Sequence, residues 1–254
     1  VLALVLALGL VPMGALAAGP IEISTAEQFA DMEANGSYIL MDDISVTAAY
    51  TEDFSGTFDG NGHRISVAIS ETSNVGLFKK VTGTVKNLIV GGTVKGTGAY
   101  VGAIAAVCEG SIIDCGNEAT VTGNKRVGGI VGHAGSATSP ASILNCYNTR
   151  AIEGTASRAT ATGGIVGYVQ NADSSIKNCA SFASVTAKAQ GGALVGYCAG
   201  KLTSSAWGGA SSSMGAAGWI SEGNQNATKS YEDAASACAA LNATRGSNAE
   251  WIVS

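Results

Sequence analysis

Residues 128–154 read GGIVGHAGSATSPASILNCYNTRAIEG, and residues 163–187 say nearly the same again as GGIVGYVQNADSSIKNCASFASVTA. Two close copies define a unit smaller than a domain, so the spacing of their apolar residues decides the fold. Aligning the rest of the chain to them yields three columns. The first holds Phe78, Ile104, Val131, Val166 and Val195. The second holds Leu88, Cys115, Cys146, Cys179 and Ser205, and the third Val94, Val121, Ile152 and Val185. The step from second to third column is six residues in all four complete copies. The two other steps are never shorter than ten residues and stretch to 15 and 14, which leaves a basal period of 26.

Length variation confined to two of three segments is what stacked coils should show. Each coil is expected to be three short strands joined by turns, each strand pairing with its copies above and below. Apolar columns then stack inside, and insertions are expelled to outward turns where they disturb no ladder. The expected fold is all-β, a right-handed parallel β-helix of about seven coils with repeats of about 26–35 residues over 51–210. The pairs Gly128-Gly129, Gly163-Gly164 and Gly191-Gly192 mark places where the backbone bends or approaches its neighbour closely.

Composition agrees. With 35 Gly, only 3 Pro and 13% charged residues in 254, the chain is neither a disordered polyelectrolyte nor a helical bundle. A formal charge of −5 gives no electrostatic footing for nucleic acid. No polybasic run is present that would hold an anionic membrane.

The opening VLALVLALGLVPMGALAAG is an apolar run ending in Ala15-Leu16-Ala17. It reads as a secretory signal over residues 1–18, cut at its start, with the mature domain not inserted in a membrane. Residues 19–50 are expected to hold an N-terminal cap helix and a first strand. Ser24 or Thr25 stands three residues before Glu27 or Gln28, a capping-box pattern, and Phe29 and Met32 share one face. A second helical cap is expected within 211–254, where Tyr231, Ala235, Cys238 and Leu241 follow Ser230 at helical spacing. Caps matter because open sheet edges template aggregation.

Two ladders are expected inside the stack. Asn87, Asn145 and Asn178 each precede a second-column residue and would hydrogen-bond along the axis, with Asp114 interrupting them. Cys115, Cys146 and Cys179 would stack as reduced, small apolar filling. In-register Cβ atoms about 4.8 Å apart lie beyond the distance a disulfide prefers. Cys108 and Cys198 fall three coils apart, and no CxxC spacing suggests zinc.

With these residues in hand, the chain resembles the GLUG-repeat bacterial surface proteins. The resemblance rests on FSGTFDGNGHRI, on VGLFKKVTGTVKNLIVGGTVKG, and on the two GGIVG…NC phrases. It implies a pectate-lyase-like parallel β-helix, a secreted or cell-surface location, an adhesin-like role, and membership of a larger surface protein. It does not imply that the repeat is catalytic.

Chemistry is sparse in the sequence. Asp42 and Asp43 should face opposite sides of a strand, Asp59 lies in a turn, and Glu109, Glu118 and Glu153 fall at different offsets in their coils. None forms the outward carboxylate pair that a polysaccharide hydrolase or lyase needs. No cofactor or metal is called for. His63 belongs to the DGNG turn, and His133 opens an insertion and is expected to be exposed. The insertions HAGSATSPAS and VQNADSSI fall at the same turn of consecutive coils, with TASRAT on a second edge. They suggest a contact surface for a host glycan or surface protein, with His133, Tyr147, Arg158, Tyr168 and Asp173 as candidate ligand residues. The favoured reading is a non-catalytic exported module. The alternatives are a polysaccharide lyase or glycoside hydrolase on the same scaffold, and a structural spacer.

Overall fold

The computed structural model describes residues 19–158 and 160–208, together with 215, 217, 218, 225, 226 and 229–231. The signal-like segment lies outside the described residues. So does the expected C-terminal helix, except that Lys229–Tyr231 is a strand.

The chain is a parallel β-helix. One coil runs through Ala105–Cys108, Ser111–Ile113, Gly116–Gly123 and Arg126–Gly128 before Val131–Ala134 begins the next. These four strands belong to four different sheets, here called the first, second, third and fourth faces in that order. Every strand pairing given for the described residues is parallel, for example Ser111 with Thr84 below and Ser142 above. The second face stacks nine strands in one unbroken path, from Ile21–Ile23 to Gln225–Asn226.

Two details of the alignment change. Four successive coils, beginning with the one that starts at Phe78, have four faces rather than three, because the stretch between the third and first columns hides a strand of its own. That strand is Tyr100–Gly102, Arg126–Gly128, Ala161–Gly163 and Gln190–Gly192 in successive coils. The in-register partner of Phe78 and Val131 is Ala105, not Ile104. Ile104 instead aligns by position with Leu77, Ile130, Ile165 and Leu194, a neighbouring buried column. The third column stands as aligned, with Val94, Val121, Ile152 and Val185 in one ladder.

The fourth strand explains the phrase GGIVG. A Cβ on Gly128 would meet the backbone N of Gly167 at 2.7 Å, and one on Gly163 would meet the N of Gly196 at 2.7 Å. The first glycine of each phrase therefore lies against the last glycine of the next. A Cβ on Gly167 would in turn sit 2.6 Å from the backbone N of Val127. Fourth-face strands thus lie backbone to backbone across first-face strands, an approach that only glycine permits.

The interior is graded along the axis. Near the N-terminal end it is aromatic, with Phe29, Phe58 and Phe78 in edge contacts at centroid distances of 5.6–5.8 Å. Phe29 comes from the helix Ala26–Ala30, whose N-cap Thr25 closes a capping box with Gln28. Further along, Val, Ile, Ala and Cys fill the coils, and 0% of Cys115, Cys146 and Cys179 is exposed. Each buried Val or Ile is worth about 1.5–3 kcal/mol in area removed from water.

Candidate functional site

The polar ladder runs up one turn. Asn87, Asp114, Asn145 and Asn178 all have φ of 52–55°, the left-handed region that Asn and Asp tolerate best. Asn178 donates Nδ2 to Oδ1 of Asn145 at 2.7 Å, and Asn145 donates to Oδ1 of Asp114 at 2.8 Å. Asp114 has no amide to pass on, and Asn87 donates instead to Asp59 at 2.9 Å. A second, fully interior ladder was not anticipated. Asn117 donates to Oδ1 of Asn148 at 2.8 Å, and Asn148 to Oγ of Ser181 at 3.4 Å. Its signal in the sequence is the second Asn, two residues after Cys115 and after Cys146.

The cysteine column is free of disulfides. Burial pushes the thiols of Cys146 and Cys179 well above the ordinary range, and those of Cys108 and Cys198 up to about 12. Each stacked sulfur points at a carbonyl, as Cys115 does at that of Ile113, 3.1 Å away. These groups are filling, not nucleophiles.

Four carboxylates, Asp53, Asp59, Glu109 and Glu118, are each engaged by a cation. Lys80 bridges Asp53 at 3.3 Å and Glu109 at 3.2 Å. Lys86 holds Asp59 at 3.0 Å. Glu118 accepts from Arg64 at 2.6 Å and from the Tyr147 hydroxyl at 3.0 Å. Burial raises the Glu118 carboxyl, but those two hydrogen bonds more than offset it and hold the group below the usual range. Burial and the adjacent Glu118 raise the Tyr147 phenol. Asp43 and Asp59 are likewise displaced downward. A general acid needs the opposite shift. Among the described residues, no three of His, Cys, Asp and Glu gather where they could hold a metal.

Tyr147 therefore belongs to an ion-paired cluster on the third face. Arg158 is exposed beside the fourth-face strand, and Asp173 is a surface residue 3.8 Å from Lys201. His133 and Tyr168, by contrast, come together on the outer side of the first face. They are register partners, with Tyr197 next in line. The expectation of an exposed His133 is overturned, since only 6% of it is accessible. Its strand does not end at the insertion, and neighbouring strands bring Tyr100, Tyr168 and Arg126 over the ring.

The geometry there is dense. Tyr100 meets His133 edge-on at 4.7 Å, His133 lies 5.4 Å from Tyr168, and Tyr168 stacks on Tyr197 at 4.4 Å with planes 5° apart. The Arg126 guanidinium sits over Tyr168 at 3.9 Å and Tyr100 at 5.1 Å. Arg126 places Nη1 2.6 Å from His133 Nδ1. Since arginine can only donate, Nδ1 accepts. Burial, then the charge of Arg126, lowers the His133 pKa to about 4. Sequence reading missed Tyr100 and Arg126 because both lie on the unrecognised fourth strand, where they are register partners.

The insertion loops do adjoin. Asn171 donates to the Ser136 carbonyl at 2.8 Å, and Ser174 Oγ accepts from the Ala141 amide at 2.9 Å. They are hydrogen-bonded to each other rather than hanging free. A separate cleft of about 360 Å³ lies between the N-terminal helix and residues 45–52, and carries neither a cation nor a histidine.

Comparison with known proteins fits this architecture. The family model described as the GLUG motif matches residues 123–153 and 158–186, successive coils of the stack. These two coils match the GLUG motif. Halomucin from Haloquadratum walsbyi is 36% identical over 86 residues, covering 32% of this chain and 1% of that protein. The chain thus spans about a hundredth of the length of that curated relative. A crystal structure from Bacteroides ovatus, provisionally described as an immunoglobulin A1 protease, superposes with a TM-score of 0.65 at 18% identity. The match covers 89% of this chain and 88% of that one. This likeness is one of fold. No described helix of this chain is long and apolar enough to cross a membrane.

Proposed function

We propose that this chain is a non-catalytic, exported surface module that holds a ligand on the outside of its β-helix, in an adhesin-like role within a larger protein. The observation that carries the reading is a division of labour among polar side chains. The carboxylates Asp53, Asp59, Glu109 and Glu118 are each bound to a lysine or arginine, which suits rigidity and not proton transfer. At the corner of the first and fourth faces, by contrast, Arg126 stacks over Tyr100 and Tyr168 beside His133, and among the described residues no carboxylate pairs with it. The apolar leader supports export, and the likeness to Halomucin supports a surface location.

The test uses residues 19–254 with a panel of neutral and acidic polysaccharides, mucin glycans and immunoglobulin A1. Retention and release of shortened products are measured in the same samples. Retention without products is expected. Products from a polysaccharide would replace this reading with the lyase or hydrolase alternative, and cleaved immunoglobulin with a protease. Neither retention nor products would leave a spacer.

A further inference from the structure

Arg126 differs from the other cations of this molecule in its setting. It is half-buried, its guanidinium is stacked over Tyr168 and Tyr100, and it donates a hydrogen bond to His133. Among the described residues, no carboxylate lies within ion-pairing distance of it, although Arg64, Lys80, Lys86 and Lys201 all have one. The nearby acid Glu109 is held by Lys80. His133 does not supply a second charge, because burial beside Arg126 keeps it neutral. A fixed, partly desolvated cation without a counter-ion is an anion seat, and guanidinium geometry favours carboxylate or sulfate taken bidentately.

We propose that Arg126, framed by Tyr100, His133 and Tyr168, binds the carboxylate or sulfate of an acidic polysaccharide. The assignment rests on the surface-module reading above and names its ligand class. Two features favour a glycan over an acidic peptide. Register partners His133, Tyr168 and Tyr197 recur once per coil, at about 4.8 Å, comparable to the rise of one sugar unit in an extended polysaccharide. The tyrosine faces are stacked on neighbours, so the site offers hydroxyls and ring edges rather than an apolar pocket. The large hydrophobics exposed among the described residues, Ile21 and Met41, lie far back in the first coils, so no apolar anchor site accompanies Arg126. Ala161, next in register after Arg126, is small enough to let the guanidinium lean across to Tyr168.

The experiment measures retention of polygalacturonate, chondroitin sulfate, neutral dextran and polyglutamate by the wild type, Arg126→Gln and Arg126→Lys, with thermal melting as the check on folding. Polygalacturonate carries carboxylates alone and chondroitin sulfate both groups, so retention of the first assigns carboxylate, and retention of the second without the first assigns sulfate. The expected result is a loss of about tenfold or more for the acidic glycan in Arg126→Gln, a smaller loss in Arg126→Lys, and no change for neutral polymer. Equal affinity in a folded Arg126→Gln overturns the site and leaves the module reading intact. So does a wild type that retains dextran but no acidic glycan. Arg126-dependent retention of polyglutamate alone would assign the seat to a protein partner and overturn the glycan. No retention of any polymer removes both readings. Should Arg126→Gln not fold, free glucuronate or sulfate must still displace the acidic polymer from wild type, and failure to do so overturns the proposal.

Discussion

Asn178 gives its side-chain amide to Asn145 at 2.7 Å, yet its own Oδ1 is buried and has no hydrogen-bond partner. The residue one coil further on is Ser204, whose φ of 47° already matches the asparagine column but whose side chain cannot donate that far. Ser204→Asn should supply the missing amide and suit the left-handed backbone better. It is expected to stabilise the fold by about 1 kcal/mol. A urea midpoint unchanged or lowered would show that the column cannot be extended.

Asn145 sits in the middle of that column, accepting from Asn178 and donating to Asp114 at φ 54°. Asn145→Ala loses both bonds and forces a Cβ-bearing residue into the left-handed region, and Asn145→Gly loses only the bonds. Alanine should cost about 3 kcal/mol and glycine about 1 kcal/mol less. The reverse order in equilibrium unfolding would mean that backbone conformation contributes little here.

Gly167 and Gly91 both lie under close neighbours, but of different kinds. A Cβ at Gly167 would meet backbone, at 2.6 Å from Val127 N and 2.7 Å from Gly132 O, whereas one at Gly91 would meet the free end of Arg64 at 2.5 Å. Gly167→Ala should therefore cost at least about 3 kcal/mol, and Gly91→Ala about 1 kcal/mol. Comparable melting temperatures for the two variants would refute the glycine contact between the first and fourth faces.

Burial raises the thiols of Cys108, Cys146, Cys179 and Cys198. The thiolate is the reactive form, so iodoacetamide at pH 8 should leave all four unmodified in the native protein and label them in urea. Peptide mapping separates these from Cys238. Rapid native labelling of Cys146 would contradict the buried ladder.

His133 titrates near pH 4, depressed by burial and by Arg126, with Tyr100, Tyr168, Gln170 and Glu109 as its other neighbours. Its folded pKa lies below the unfolded value near 6.5, so the unfolded chain binds the proton more readily between them. The stabilisation is complete above about pH 6.5 and is lost as pH falls through about 4, a difference on the order of 3 kcal/mol. His133→Gln should flatten that part of the stability profile relative to wild type. Parallel profiles would place the pH dependence on the carboxylates instead.

Much of this architecture was legible in the spacing. Val94, Val121, Ile152 and Val185 occupy one ladder because parallel pairing ties each residue to its counterpart a coil away. The slip at Ile104 had a physical cause. Ile104 and Ala105 are both buried, so hydrophobicity alone could not decide which of two adjacent columns either belonged to. The fourth strand was missed because YVG, RVG, ATG and QGG share only their final glycine and carry no common apolar position. Half the candidate site went with it, since Tyr100 and Arg126 stand there while His133 and Tyr168 stand on the first face.

The sequence alone determined most of the neighbours along the axis, since a fixed period ties each residue to its counterpart a coil away, and it erred by one residue where Ile104 and Ala105 are both buried. Tertiary structure decided which columns meet across the coil. That depends on where the chain bends and how closely two sheets approach, and glycines such as Gly128 and Gly167 set it by the side chains they lack. The spacing of Arg126 and Tyr168 in the sequence gives no sign that one will lie 3.9 Å over the other. Their meeting is a product of that fold-back alone.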